Sequence, residues 1–421
     1  MFRSLAARVL LGLVLGLAAG AGLGALADPG LTAAGVVEAL GGLWLNLLRM
    51  TIVPLVFALL VVGIASVADA AATGRLALRA VVLFTILLVV AGVYGTAASQ
   101  ALLALWPVDP AGAAALRAGA QAADAAAAGP SLVDWIKALA PANPVRAAAE
   151  DAILPLVVFG VFFGFAATRL PPARKDLVVG FLSATADVMI VIVRWVLWAA
   201  PAGVFALSLG VGLRAGVSAA GVLVQYVVIV SLVTAGIAIL PYILVAARGG
   251  IGVGRFARAA APVQALAFST QSSLACLPAM LERAQDDLRI PPRVTGLVLP
   301  LAVAVFRMTS PVANLAVAYF TAHVFGVQPS LLQMAAGIAV AFAISIGSVG
   351  LPGQISFLAS VGPICMALGL PLDLLPILLA VEVAPDIFRT IGNVTGDLGA
   401  VAVLNRPGET AQVVDPESAP A

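Results

Sequence analysis

Leu76–Leu105 runs for thirty residues with one charged side chain, Arg79. A helix needs about 20 apolar residues to cross the hydrocarbon of a bilayer, so this stretch is long enough to span. Others like it follow along the chain: Val9–Ala27, Leu43–Ala68, Ala152–Thr168, Asp187–Leu209, Gly221–Ala247, Val294–Phe325 and Leu370–Leu404. The Ala152–Thr168 run extends backward into the Trp135–Pro144 region. Of 421 residues, 62% are hydrophobic and 10% charged, where a soluble chain carries roughly 25% charge. That apolar excess is too large for one core, because much of a soluble surface must meet water. The expected fold class is an all-α polytopic membrane protein.

Two further apolar segments are broken. Ala260–Leu281 is interrupted by Pro262, Ser272, Ser273 and Pro278, and Met334–Leu370 by Gly347, Gly350, Pro352 and Gly353. Short or Gly/Pro-broken hydrophobic segments point to a transporter's binding site, since free backbone groups survive at membrane depth only where protein or a cavity shields them. Ordinary spans kinked by Pro and Gly are the alternative. Counting the broken segments as re-entrant hairpins gives eight transmembrane helices plus two hairpins. Arg and Lys then gather on the inner side at Arg3, Arg8, Arg75, Arg79, Arg169, Arg174, Lys175, Arg248, Arg255, Arg258 and Arg406. Only Arg117 and Arg214 fall in outer loops, with Arg49, Lys137 and Arg146 as exceptions near outer span ends. The bias places both termini in the cytoplasm. The first run is longer than the apolar region of a cleavable leader and reads as a retained helix. Ala111–Gly129 reads as a flexible outer connection, and 407–421 as a disordered cytoplasmic tail.

The composition and motifs also exclude several functions. Cys276 and Cys365 sit in apolar surroundings and support neither a disulfide framework nor a Cys-based metal site. No dinucleotide fingerprint, P-loop or HExxH pattern occurs, so ATP-driven transport would require another subunit. Nothing indicates nucleic-acid binding, and no cofactor is expected.

Most of the chemistry lies in "VEVAPDIFRTIGNVTGDLGAVAV". At 100° per residue from Asp386, the positions Arg389, Thr390, Asn393 and Asp397 share with it one helix face about 100° wide. Two carboxylates, a guanidinium and an amide inside a membrane span are functional by default. Arg389 can grip a carboxylate with a bidentate fork, and Asp386 one turn earlier can receive an ammonium group. Together they fit a zwitterion with a second carboxylate, such as aspartate or glutamate. Asn393 and Asp397 are hard oxygen donors one turn apart, suited to a small cation, or Asp397 carries a proton. A buried structural ion pair is the alternative for Asp386 and Arg389 alone. In the first broken segment, Ser269, Thr270, Gln271, Ser272 and Ser273 offer hydroxyls and N–H groups to an anion. In the second, Gly347, Gly350 and Gly353 permit turns and Pro352 breaks the helix, as a hinged gate or a kink.

With these motifs in hand, the chain resembles the dicarboxylate/amino acid:cation symporters, the family of the archaeal aspartate and mammalian glutamate transporters. The resemblance rests on "MTIVPLVFALLVVGIAS", "PANPVRAAAEDAILPLVVFGVFFGFA", "FSTQSSLACLP", "GLPG" and "RTIGNVTGD", in order along nearly the whole chain. It implies a homotrimer in a bacterial cytoplasmic (inner) membrane that works by an elevator mechanism. Residues 1–406 would form the transporter, with 1–70 and 131–215 mainly scaffold and trimerisation, and 76–106 and 220–406 mainly the mobile transport domain. It implies a substrate site in which Arg389 meets the side-chain carboxylate and Asp386 the amino group. Thr390, Asn393 and Ser310 line that site. Ser273 and the Gln271 backbone bind from the first hairpin tip, and the backbone of Leu351 and Ile355 closes from the second. The implied sodium site falls on Asn393, Asp397 and the Ala302 carbonyl.

One departure matters. The family's Asn-Met-Asp-Gly-Thr run in an unwound seventh span becomes Phe306, Arg307, Met308, Thr309 and Ser310. Phe306 and Met308 cannot replace the family's oxygen donors, and Arg307 adds a fixed positive charge. The expectation is a cation-mimicking Arg307 and fewer sodium sites. The function that follows is uptake of an acidic amino acid coupled to sodium or proton. A C4-dicarboxylate symporter such as one for succinate, malate or fumarate, and a ligand-gated channel, are the alternatives. An enzyme is not expected, because no nucleophile or metal cluster accompanies Asp386 and Asp397.

Overall fold

The computed structural model describes residues 5–26, 32–72, 74–119, 140–150, 152–215, 218–248, 250–347 and 353–405. All regular structure among them is α-helical. Five helical stretches are long and apolar enough to cross a membrane: Gly35–Ala72, Arg75–Leu105, Pro172–Trp198, Ala220–Arg248 and Pro292–Phe325. The all-α polytopic membrane class is therefore met.

Proline breaks several helices, although Pro262, expected to interrupt its segment, and Pro300 and Pro363 lie inside continuous ones. α1 (Leu5–Leu26) is followed by α2 (Thr32–Arg49) and α3 (Ile52–Ala72), which break at Met50–Thr51 because Pro54 has no N–H to give the Met50 carbonyl. α4 (Arg75–Leu105) is the long uninterrupted helix that the opening run predicts. The connection after it differs from expectation. Its first part is α5 (Pro110–Gly119), started by the Asp109 carboxylate accepting from the Gly112 N–H at 2.7 Å, and 120–129 lie outside the described residues.

α6 (Pro144–Ala149) is a single turn and a half capped by Asn143, whose Oδ1 accepts from the N–H groups of Val145 and Arg146. α7 (Ile153–Ala167) matches the fourth apolar run closely. The expected Asp187–Leu209 span is instead two helices, α8 (Pro172–Trp198) and α9 (Ala200–Ala215). Pro201 withholds the N–H that the Leu197 carbonyl would need, so the axis breaks at Ala199. α8 turns Phe181, Trp195 and Trp198 outward, each about three-quarters exposed, which suits a helix whose solvent is lipid.

α1 lies along α9 over its whole length. Gly12, Gly16 and Gly20 recur every fourth residue on α1 and let the two backbones approach. A Cβ at Gly16 would come within 2.0 Å of Ser208 Oγ and 2.5 Å of the Phe205 carbonyl, and one at Gly20 within 2.2 Å of the Leu209 carbonyl.

The rest of the chain packs around a buried centre. α10 (Ser218–Ile237) and α11 (Leu240–Arg248) lead into α12 (Val253–Thr270) and α13 (Leu277–Asp286), which reverse direction through Gln271–Cys276. Gln271 ends α12 in the left-handed region at φ 50°. α14 (Pro292–Val305) and α15 (Thr309–Phe325) are interrupted at Phe306–Met308, the unwound stretch that the resemblance implies. Every residue of α15 except His323 is buried. α16 (Leu331–Gly347) and α17 (Gly353–Ala367) lie side by side. The Leu351–Pro352 tip between them is outside the described residues. α18 (Leu375–Val381) and α19 (Val383–Leu404) complete the chain, broken at Glu382 because Pro385 cannot donate to the Val381 carbonyl.

Leucine at position 16 should force α1 from α9. We expect Gly16→Leu to cost on the order of 1–3 kcal/mol, read as a lower unfolding midpoint in detergent. Gly22→Ala, where a Cβ meets nothing within 4 Å, should leave the midpoint unchanged; equal behaviour of the two variants would contradict the packing.

Candidate functional site

α19 carries the predicted polar face, and the fold buries it. Asp386, Arg389, Thr390, Asn393 and Asp397 are all at most 5% exposed. They are surrounded by α10, α12, α14 and α15. A polar group left unpaired in so dry a place costs several kcal/mol, on the order of 2–7, so the pairing of each one bears on what the site can do.

Arg389 is held mainly by a residue outside the predicted set. Its Nη2 donates to Glu382 Oε1 at 2.7 Å, and Glu382 has no exposed surface. Asp386 Oδ1 lies 3.9 Å from Arg389 Nε, an ion-pair distance but not a hydrogen bond. The second oxygen of Glu382 accepts from the Tyr226 hydroxyl of α10 at 2.6 Å. Tyr226 packs edge-on against Phe320 of α15. Glu382 was legible in principle: continuing the same 100° step one turn before Asp386 puts it at about 320°, on the same face. Tyr226 offered no such signal, since one phenol in an apolar span is unremarkable until its partner is known.

The unwound stretch between α14 and α15 fixes the next turn of the stripe. Thr309 N–H donates to Asn393 Oδ1 at 3.0 Å. Its hydroxyl sits 2.8 Å from both Asn393 Oδ1 and the Arg389 carbonyl, with one proton for either acceptor. Because a backbone N–H only donates, the Asn393 amide oxygen must face Thr309. Its Nδ2 is therefore turned the other way, buried and without a hydrogen-bond partner among the described residues. Asn393 thus presents donors, not an oxygen, on the side away from Thr309. Thr309 was named only as part of a run, and its anchoring role is a tertiary fact with no local pattern.

Thr390 spends its hydroxyl on the Asp386 carbonyl at 2.9 Å. The Ser310 hydroxyl accepts from Asn314 Nδ2 at 3.3 Å within α15. Ser273 is buried, and its hydroxyl has no partner among the described residues. Gln271 stands at the start of the same turn. Leu351 is outside the described residues, and Ile355 is placed by its backbone in α17. The Ala302 carbonyl accepts the last hydrogen bond of α14, from Phe306 N–H at 2.7 Å.

Phe306 does not point its ring at the stripe. It stacks on Phe84 of α4, with ring centroids 4.5 Å apart and planes 8° from parallel. The Met308 methyl comes within 3.2 Å of where a Cβ on Gly396 would stand, so the thioether fills the side of α19 beside Asp397. Both residues are fully buried, and their side chains supply no oxygen. Arg307, between them, is buried at 9% exposure and interacts electrostatically with Asp386, Arg389 and Asp397. Neither oxygen of Asp397 accepts a hydrogen bond among the described residues. No group of three or more His, Cys, Asp or Glu that would hold a metal ion occurs among the described residues.

Replacing Thr309 by Val keeps the shape but removes the hydroxyl. We expect T309V to lose about 1 kcal/mol, seen as a lower unfolding midpoint, because the Asn393 amide then rests on one donor instead of two. An unchanged midpoint would show that the hydroxyl holds nothing.

Over residues 5–406 the chain matches the sodium:dicarboxylate symporter family. It is 28% identical over 410 residues to the proton/glutamate-aspartate symporter of Escherichia coli (strain K12), covering 95% of this chain and 92% of that protein. It is 27% identical over 420 residues to the proton/sodium-glutamate symport protein of Bacillus caldotenax, covering 96% and 94%. With neutral amino acid transporter B(0) of Homo sapiens it shares 30% identity over 459 residues, covering 97% of this chain and 81% of that protein.

Proposed function

The chain belongs to the sodium:dicarboxylate symporter family, and we propose that it is a secondary active transporter that takes up aspartate or glutamate coupled to a cation. The observation that carries this reading is the buried α19 stripe, with a guanidinium at Arg389 and a carboxylate at Asp386 one turn apart. The substrate's side-chain carboxylate pairs with Arg389 and its ammonium with Asp386. The Asn393 amide donates to the backbone carboxylate, in keeping with its free Nδ2. Gln271, Ser273, Thr390, Ser310, Leu351 and Ile355 complete the site. The relatives named for glutamate and aspartate support the same substrate class. Membership in a family of transporters leaves no role for an enzyme activity.

Plain C4-dicarboxylates fit less well. Asp386 stands beside Arg389 and stays ionised, and a substrate without an ammonium group would meet it with nothing to offset the repulsion.

Charge also argues for coupling. Glu382, Asp386 and Asp397 set three carboxylates against two guanidiniums, Arg307 and Arg389, all buried. An acidic amino acid brings one more net negative charge. A pocket closed in lipid needs added positive charge to carry it, which a sodium ion or a proton supplies.

Arg307 supplies the part of that charge that sodium brings elsewhere in the family. Phe306 and Met308 leave no side-chain oxygens there, and the Asn393 oxygen is taken by Thr309. Asp397 and the Ala302 carbonyl remain as donors for any sodium that is still carried. The protein would work as a homotrimer in a bacterial inner membrane, with eight spans, two re-entrant hairpins formed by α12–α13 and α16–α17, and cytoplasmic termini. Residues 1–70 and 131–215 form its scaffold, and 76–106 and 220–406 its elevator-like transport domain.

Reconstituted in liposomes, the protein should accumulate labelled aspartate or glutamate against a gradient and exclude succinate, malate and neutral amino acids. Arg389→Gln should weaken acidic amino-acid binding at least about a hundredfold; retained affinity would move the site elsewhere. With sodium and proton gradients imposed separately, Arg307→Met should slow uptake at least about tenfold. A sodium dependence as steep as that of an Asn/Asp-bearing relative, or an unaffected Arg307→Met, would overturn the role of Arg307.

A further inference from the structure

Glu382 is a buried titratable group for which the site described above has no use. It sits at the break between α18 and α19, has no exposed surface, and spends its two oxygens on two different donors. Arg389 Nη2 donates to Oε1 at 2.7 Å, and the Tyr226 hydroxyl to Oε2 at 2.6 Å. The guanidinium assigned to the substrate is therefore already held by a carboxylate of the protein. An arriving substrate carboxylate and an ionised Glu382 would compete for one cation where water cannot screen them. The substrate would be a third carboxylate on a guanidinium that Glu382 and Asp386 already share, and so many like charges at one cation disfavour keeping all of them ionised. A proton resolves the conflict. The neutral Glu382 carboxyl still accepts from Tyr226, and it no longer competes electrostatically for Arg389.

We propose that Glu382 is a proton site linked to substrate binding: it is ionised and holds Arg389 in the empty transporter, and takes up one proton when an acidic amino acid pairs with Arg389. This rests on the acidic amino-acid reading above and names the ion that accompanies the substrate at that site. The step is balanced. A carboxylate and a solvent proton become a carboxylic acid, Arg389 keeps all its protons, and its pairing passes from Glu382 Oε1 to the substrate carboxylate.

The surroundings of Glu382 favour it over its neighbours for this task. The charged and titratable groups that face it are Tyr226 on α10 and Arg389 and Asp386 on α19. Cys365 of α17 lies behind Tyr226. Arg307, from the α14–α15 break, acts on Asp386, Arg389 and Asp397. α1, α9 and α18, which pack around the same turn, bring no further titratable side chain to it among the described residues. Asp386 stands on the same guanidinium, but the substrate ammonium occupies it and keeps it ionised. Glu382 has no such second cation.

The test is to count protons as the purified protein binds L-aspartate, with a pH-sensitive dye in weakly buffered solution, and to measure affinity between about pH 6 and 9. The bound state holds a proton that the free state lacks, so rising pH opposes binding. Wild type should take up about one proton per aspartate where Glu382 is ionised when empty, and lose affinity about tenfold per pH unit there. Glu382→Gln, a permanent neutral carboxyl, should take up none and bind with an affinity flat across the range. Tyr226→Phe removes a donor that favours the ionised carboxylate. Its affinity should begin to fall at higher pH than in wild type, with the same one-proton limit. Wild type that binds aspartate without taking up a proton overturns the proposal, as does Glu382→Gln with the wild-type count. Should Glu382→Gln fail to fold, a Tyr226→Phe onset identical to wild type overturns it instead. Wild type that binds neither aspartate nor glutamate at any pH fails the acidic amino-acid reading itself, which is a separate outcome from binding without protons.

Discussion

Arg389, 4% exposed, meets the fully buried Glu382 at 2.7 Å, and much of the surrounding fold makes that contact tolerable. Removing one partner of such a buried pair costs about 3–5 kcal/mol, because the other charge is stranded. The fold therefore surrounds the pair with partners. Tyr226 takes the second carboxylate oxygen from α10, and Asp386 stands 3.9 Å from the guanidinium. Thr309 ties the next turn of α19 to the α14–α15 break. The break at Glu382 lies where Pro385 denies the backbone a donor, and both it and the break at Phe306–Met308 face this cluster. They are the points at which the bundle gives up regular helix, and they fall where protein shields the freed backbone groups from lipid.

The same cluster accounts for the chain's departure from its relatives. A sodium site needs several oxygens at close range, but Phe306 has turned its ring onto Phe84 and Met308 fills the flank of α19. What stands between them is a guanidinium. A fixed charge and a bound ion can both balance Asp397, but only the ion leaves when the site opens. Under the proposed function, exchanging one for the other would lower the number of ions that can drive transport and shift the coupling toward a proton, for which a buried carboxylate is the natural carrier. Arg307 and Glu382 are in this sense two halves of one rearrangement.

Much of this was legible in the sequence because it depends on periodicity. The α4 span and the α19 stripe follow from apolar runs and 100° steps, and each is a property of one segment. Legibility ended where two segments meet. Asn393 reads as an oxygen donor from sequence, and only the Thr309 N–H 84 residues away turns its oxygen inward. Asp187–Leu209 reads as one span, since a proline beside alanines does not announce whether a helix bends or breaks. The α5 helix was hidden in an Ala/Gly-rich stretch whose low polarity gave no periodic signal. The α1–α9 contact rests on glycines at every fourth position of α1, which signify little until the partner helix is known.

The central claim is that an acidic amino acid bridges Arg389 and Asp386 while Arg307 stands in for an ion. An experimental structure of the protein with L-aspartate bound, collected with and without sodium, tests it most directly. The account predicts the side-chain carboxylate within hydrogen-bond distance of Arg389, the ammonium on Asp386, and the Arg307 guanidinium turned toward Asp397 in both conditions. Aspartate seated away from Arg389, or a sodium ion at the α14–α15 break with Arg307 displaced, would contradict it.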